Sequence, residues 1–561
     1  MDLQQQLAAL QDLNPDRLTE PELRAFVPTL LQVIEELIHR DAERAAELER
    51  LRAELARLQG QSPPPKFPPA ARTSGTPPAS SEQDRRAQEP RRPWQKGRKA
   101  AALPIDRTEP CWLDLAALPA DVQFKGYVAT VIQDVVLRRD NIRFQREQYY
   151  SPSTRTTYTA PLPPGYTGSQ FGPGIRSLIL GLGYGANVTM RLNHRFLTHL
   201  GVVISKGEVS ALLTTRLEAF EQELHTAVAL GLELAGWTGV DQTSTRVDGQ
   251  NFTCQTLDNP LCCFYLTTPR ADRLAVLRAL QVGQPLRYRI NAAAVAWFDA
   301  RPAPQWAKEQ WAQLQRESWL TEPEMILLLD RYFARANRDT RQWLQQAAAL
   351  AAYWQEPCGP RLGCLVTDDA AVFPQLTAEH ALCWVHDARH YYKLSPGFSL
   401  FQADLDTFLR DYWGFYQELL AYREAPTPTE AARLEAAFDA LFTQEVRFQP
   451  LARCLARTCS NKQQLLLVLR RPELPLHNNS TELAVRQRVR RRDVSFGPRS
   501  EAGRRAWDVY QSLAGTLEKL GVSFFAYLAD RLGKQCQIPP LAELITQQAA
   551  ALQVGRSWRT T

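Results

Sequence analysis

A chain of 561 residues is too long for one compact core, and its 44% hydrophobic and 22% charged content is that of a globular protein, not a disordered or fibrous one. No apolar run approaches membrane-spanning length, and the N-terminus (Met1-Asp2-Leu3-Gln4-Gln5) lacks a basic stretch followed by an apolar one, so we expect a cytoplasmic protein with no membrane partner. The net charge of +6 is concentrated in two segments, Arg85 to Lys99 and Arg486 to Arg505, and the ten Cys residues include no Cys-x-x-Cys pair, which argues against a zinc ribbon or a thioredoxin-like site.

In chain order, residues 22–60 read as helix. The apolar positions Leu30, Ile34, Leu37, Leu48, Leu51, Leu55 and Leu58 follow a four-three spacing, with Asp41 and Arg44 on the same seam. Such a heptad stripe either pairs with a second copy or docks on its own chain, and we assign 1–60 as a coiled-coil oligomerisation segment that breaks at Gly60. Residues 61–100 are rich in Pro, Ser and Arg and read as a basic linker; its end, Arg91 to Lys99, could track a phosphate backbone with Trp94 available for stacking. Over 101–170 a small β-rich domain is expected, because Tyr127 to Ile132 and Ile142 to Gln145 alternate β-branched or aromatic residues with polar ones. Over 171–230 the pattern is helical. Asn187 to Leu200, a break at Gly201-Val202-Val203, and Ser205 to Leu213 have the size of a DNA-reading helix-turn-helix, with Ser205 as the second N-cap.

A catalytic domain is expected over 231–535, with helical insertions at about 270–360 and 393–475, and 536–561 as a tail. Gly236 to Asp241 reads as a strand ending in an acid. Thr243 to Val247, Asn251 to Leu257 and Leu261 to Thr267 follow as a meander with a turn at Asp248-Gly249. Leu362 to Asp368 is a second short strand ending in an acid, then Ala370 to Leu376 could be helix and Ala381 to Val385 a buried strand. Further on, Asn478-Asn479-Ser480-Thr481-Glu482 opens a segment that becomes strongly basic. Asp241, Asp368 and Glu482 could therefore converge, since neighbouring strands lie about 4.8 Å apart. Three carboxylates beside a basic run suit two Mg²⁺ (or Mn²⁺) ions acting on a phosphodiester.

Together these residues resemble a known family. The order His477-Asn478-Asn479-Ser480-Thr481-Glu482, Val485 to Phe496, Gly503, and Trp507 to Leu532 is similar to the C-terminal end of insertion sequence 66 family transposases, which carry Asp-Asn-Asn-x-x-Glu, a basic strand-like run and a closing helix. Cys383-Trp384-Val385-His386 with Arg389 resembles that family's Cys-Trp-x-His-x-x-Arg segment; Leu365 to Asp368 and Val240 to Thr243 match its two Asp strands. The resemblance implies an α/β, ribonuclease H-like core with an Asp-Asp-Glu triad formed by Asp241, Asp368 and Glu482. It further implies double-stranded DNA at element ends and target as substrate, and a dimer or larger homo-oligomer. Two departures stand out: His477 replaces the family's Asp, and Cys111 alone occupies its zinc region.

Around the triad, Asn478 and Asn479 are expected to orient Glu482, cap its helix or contact the DNA backbone, and His386 to contact DNA or the scissile site. Arg486, Arg490 and Arg492 are candidate phosphate contacts on one face of a strand. Asp369 is the alternative to Asp368, and His380, Cys383, His386 and His390 have only a loose metal-ligand spacing. A transposase is the leading reading; a nuclease of the same fold without strand transfer, or a non-catalytic DNA-binding protein, are the alternatives.

Overall fold

A computed structural model describes residues 21–58, 105–114, 123–315, 318–355 and 360–552. The linker expected over 61–100, with Trp94, lies outside them, as do the side chains of Leu55 and Leu58. Helix α1 (Pro21–Leu58) places Leu31 in the core of a later helical block, with Val27 and Ile34 packed beside it. Gln32 accepts from the Gln449 backbone and Glu35 from that of Gly397, so this half of α1 is docked on its own chain. Leu30, Leu37, Leu48 and Leu51 of the same helix are exposed.

The β-rich region is reduced to a hairpin of β1 (Gln148–Ser151) and β2 (Thr156–Thr159). Tyr127 to Ile132 and Ile142 to Gln145, expected as strands, make no strand pairing and are exposed. Their alternation has β character but finds no partner among the described residues, and a strand needs its ladder. Helices α2 (Pro173–Leu180), α3 (Met190–His199), α4 (Lys206–Thr214) and α5 (Glu218–Leu234) follow. Ser205 caps α4 as expected, in a reciprocal pair with Glu208.

The sheet is built from β3 (Thr238–Val247), β4 (Gln250–Asp258) and β5 (Cys263–Thr268), then, after helices α6 (Arg273–Leu280), α7 (Ala292–Asp299), α8 (Gln305–Gln313), α9 (Glu322–Tyr332) and α10 (Arg338–Gln355), from β6 (Cys364–Thr367) and β7 (Glu379–Leu382). Its order is β5-β4-β3-β6-β7, antiparallel on the β5 side and parallel from β3 to β7. Every residue of β6 is buried, as a parallel strand covered on both faces requires. Ala370 to Leu376, read as helix, is a run of turns: Arg273 takes the Ala371 and Pro374 carbonyls that helix bonds would otherwise use.

Beyond β7 come α11 (Trp384–Tyr392), the insertion helices α12 (Ser399–Glu424), α13 (Pro428–Phe442), α14 (Gln449–Ser460) and the short α15 (Lys462–Leu465), then α16 (Asn479–Ser495), α17 (Glu501–Lys519), α18 (Phe524–Gly533) and α19 (Leu541–Ala551). The insertion has its own aromatic core around Trp384, whose indole N–H donates to the Leu465 carbonyl at 3.0 Å. The segment at 536–561, expected as a tail, instead supplies α19, whose Leu541 and Ile545 are buried in the main core. One apolar cluster runs from α2 and α5 through the sheet to α17 and α18, across the boundary expected near 230.

Strand β5 is an edge, and its outward N–H groups are not left bare. Those of Cys263, Tyr265 and Thr267 donate to Thr516 Oγ1, Ser512 Oγ and Asp508, at successive four-residue steps along one face of α17. The helix thereby closes the sheet edge with hydrogen bonds as well as packing.

Candidate active site

Parallel pairing of β3 with β6 sets Gly239 opposite Val366. Two residues beyond that pair stand Asp241, inside β3, and Asp368, the residue that follows β6, where neighbouring strands of a sheet lie about 4.8 Å apart. Asp241 was expected at a strand end; it lies inside β3, because that strand runs on to Val247 to pair with β4. It is the parallel ladder that ends here, just before Asp241, so the candidate cleft lies where β6 stops beside the continuing β3.

Glu482 is brought to this cleft by the start of α16. The Asn478 side-chain amide donates to the Val240 carbonyl at 3.1 Å, its backbone N–H points at Cys383 Sγ at 3.3 Å, and the Glu482 N–H bonds back to the Asn478 carbonyl. Thr481 is fully buried against Gly239, where an added Cβ would stand 2.0 Å from Thr481 Oγ1. Glu482 thus projects from a helical first turn clamped onto the strand that carries Asp241. The helix N-terminus, with its positive dipole end, faces the acids.

The electrostatics couple Asp241 to the other two acids. Burial pushes the Asp241 carboxyl up to about 7, with Asp368 and Glu482 adding repulsion. Burial likewise raises Asp368, one of whose oxygens accepts the Ala370 N–H. Asp369, the alternative second ligand, is turned elsewhere: a hydrogen bond from His390 holds its carboxyl low, and Arg457 of α14 pairs with it. The geometry therefore favours Asp368. Among the described residues no three His, Cys, Asp or Glu side chains form a ready-made ion cage. The donor set still fits Mg²⁺ or Mn²⁺: all three groups offer hard oxygens, the excess negative charge is buried, and Mg²⁺ binds through one or two carboxylates plus water and phosphate, not in an all-protein cage.

His386 Nε2 lies 3.4 Å from Glu482 Oε1. Burial, then the charge of Arg389, lowers the imidazole to about 4, so at neutral pH this is a neutral ring beside a carboxylate. The remaining members of the loose His/Cys spacing have separate partners: His380 meets Thr367 Oγ1 at 2.7 Å, Cys383 receives the Asn478 N–H, and His390 holds Asp369. Asn478 and Asn479 are both buried, a placement that fits orienting Glu482 better than contacting DNA.

The basic run is helix α16, not the expected strand. Its buried positions are Asn479, Thr481, Arg488 and Arg491; the last three recur at helical steps of seven and three, and all four are polar, so apolar periodicity could not reveal them. Arg488 bonds Gln511, Thr267 and Asp508, and Arg491 the carbonyls of Gly183 and Val188. Neither had been singled out from the sequence. Arg486 and Arg490 share a helix face, with Arg490 exposed, while Arg492 donates to the Ser244 carbonyl of β3. Gly239 was not singled out from the sequence and Thr481 only as part of the Asn-Asn-x-x-Glu segment, while Arg389 was noted only within the Cys-Trp-x-His-x-x-Arg resemblance; a glycine before a strand acid was the available signal for the first.

The sequence profile of the family described as Transposase IS66 family matches residues 286–506, a span containing Asp368 and Glu482. An uncharacterized protein of Sinorhizobium fredii (strain NBRC 101917 / NGR234), y4jO, is 32% identical over 323 residues, which cover 57% of this chain and 99% of that protein.

Proposed function

Because the chain belongs to the IS66 family of transposases, we propose that it cuts and joins DNA at the ends of an insertion sequence, with Asp241, Asp368 and Glu482 as the carboxylates of a ribonuclease H-like site. The observation that carries this reading is the β3–β6 pairing, which Asp241 and Asp368 each follow by two residues, together with the Asn478–Val240 bond that ties the Glu482 turn to β3. The sheet order, with an antiparallel meander joined through its first strand to two parallel strands, supports the ribonuclease H-like assignment.

Asp241, Asp368 and Glu482 would hold Mg²⁺ or Mn²⁺, two ions per site, supplying Lewis-acid stabilisation of the phosphate and a nucleophilic oxygen at neutral pH. The chain's own residues do the placing. Asn478 and Thr481 lock the Glu482 turn to β3, and the neutral His386 ring screens one side of the Glu482 carboxylate. The exposed Arg490 of α16, with the half-buried Arg486 one turn before it, binds the phosphate backbone away from the reacting atoms. No protein nucleophile is required, since water and then a DNA 3′-hydroxyl serve.

The chain works as a homo-oligomer. Bringing two DNA ends together takes at least two sites, and the exposed Leu37, Leu48 and Leu51 of α1 offer a heptad seam to a second copy. Among the described residues no helix is long and apolar enough to cross a membrane, and DNA is the partner the family indicates.

The test is to incubate pre-cleaved DNA ends, taken from the sequence flanking the gene, with a target plasmid and Mg²⁺. Joined products are expected from the wild-type chain and not from Asp241→Asn. Cleavage without joining would replace this reading with a nuclease, and DNA binding with neither activity would make the protein a non-catalytic binder.

A further inference from the structure

Buried and half-buried arginines in this region use their donors on protein partners. Arg488 and Arg491 do so, and Arg457 bonds both Asp369 and His390. Arg389 is different. It stands one turn after His386 on α11, and its Nη2 is 3.9 Å from Glu482 Oε1, beyond hydrogen-bond reach. Its Nε is buried with no hydrogen-bond partner, as is that of Arg488 and of Arg491, but unlike theirs its terminal nitrogens make no hydrogen bond among the described residues either, and its side chain retains 28% exposure. Its charge also acts on Asp241 and Asp368. A guanidinium carries five N–H donors in a rigid fork, and holding them unused in a half-buried site is costly unless an anion arrives.

Resting on the transposase reading, we propose that Arg389 is a catalytic residue: its guanidinium donates to a non-bridging oxygen of the scissile phosphate, and in the free protein it stands in as the counter-charge to the three acids. With the carboxylates engaged by divalent ions, the fork would be free for the phosphate, for which its planar donors are suited. Arg389 forms no covalent bond and moves no proton. It neutralises charge on the phosphate as the water oxygen bonds to phosphorus, the bond from phosphorus to the 3′ oxygen breaks, and that oxygen takes up a proton as the water gives one up. On this account its removal takes away a cation that competes with divalent ions and a donor that phosphate needs.

The experiment compares wild type, Arg389→Gln and Arg389→Lys for nicking of a duplex of the flanking end DNA and, separately, for Mn²⁺ affinity by calorimetry without DNA. Arg389→Gln should lose about 100-fold in nicking, as for removal of one donor to developing charge, while binding Mn²⁺ as tightly as wild type or more tightly. Arg389→Lys keeps the charge and secures the fold, and should still lose about 10-fold because the fork is gone. Nicking at the wild-type level in either variant overturns the proposal and leaves the transposase reading standing. Weakened Mn²⁺ binding in step with lost nicking also overturns it, since Arg389 would then be positioning Glu482. A wild-type chain that never nicks end DNA removes the transposase reading and this inference with it.

Discussion

Gly239→Ala tests how Glu482 is placed. The added Cβ would stand 2.0 Å from Thr481 Oγ1, 2.6 Å from Asn478 Oδ1 and 3.3 Å from the Asp258 carbonyl. An ordinary contact needs roughly 3.5 Å, so the start of α16 must retreat from β3 by more than about 1 Å. Thr481 is fully buried and Asn478 almost so, and neither short side chain can swing into open space. Overpacking of this kind costs about 1–3 kcal/mol in stability. The functional cost is larger, because displacing a reacting group by about 1 Å can lower a rate by about 100-fold. Urea unfolding should therefore report a folded variant of reduced stability, and nicking assayed well below its midpoint should be about 100-fold slower than wild type. A Gly239→Ala chain with wild-type stability and nicking would refute the claim that Thr481 and Asn478 seat Glu482 on β3.

Asp241→Asn should raise thermal stability in chelator, with a benefit that grows from about pH 4 to about pH 7 and reaches at most about 4 kcal/mol. The sign follows from a folded-state carboxyl raised to about 7: its ionisation costs stability as pH rises from the unfolded value through the folded one, and Asn has no such cost; a benefit larger at the acid end would contradict it. Arg488→Ala should destabilise by about 3–5 kcal/mol, since it leaves Asp508 buried beside Thr267 without its principal ion pair, whereas Arg490→Ala should leave unfolding nearly unchanged and lower the salt dependence of DNA binding by about one ion. Equal effects of the two on stability would undo the division of α16 into structural and DNA-facing arginines. Leu48→Glu with Leu51→Glu should lower the mass seen in light scattering while leaving the docked Leu31 end intact; an unchanged mass would place the oligomer contact elsewhere.

Asp241 and Asp368 stood out in the sequence because each follows a short apolar run, and Glu482 because a paired Asn precedes it; β3 pairs with β6, and Asn478 ties the start of the Glu482 helix to β3. Their exact settings were not legible: nothing local says that β3 continues six residues past Asp241, since that length is set by pairing with β4. The basic run was misread because its inward positions are arginines, and a charged residue buried at helical spacing looks the same in sequence as a solvated one. The closing of the β5 edge was invisible for a similar reason. Asp508, Ser512 and Thr516 form a polar stripe that sequence alone assigns to solvent, yet each meets a backbone N–H of the sheet. Strands were expected at 127–132 and 142–145 from their alternation, and among the described residues neither has a partner strand.

The most direct measurement is Mg²⁺-dependent nicking of flanking end DNA by wild type, Asp241→Asn, Asp368→Asn, Glu482→Gln and Asp369→Asn under one set of conditions. One active site made of three carboxylates predicts that the wild-type chain nicks, that each triad variant loses activity by about 1,000-fold or more, and that Asp369→Asn retains most of it, because its carboxylate serves His390 and Arg457. Full activity in any triad variant, or an Asp369→Asn chain as inactive as the triad variants, would contradict the account.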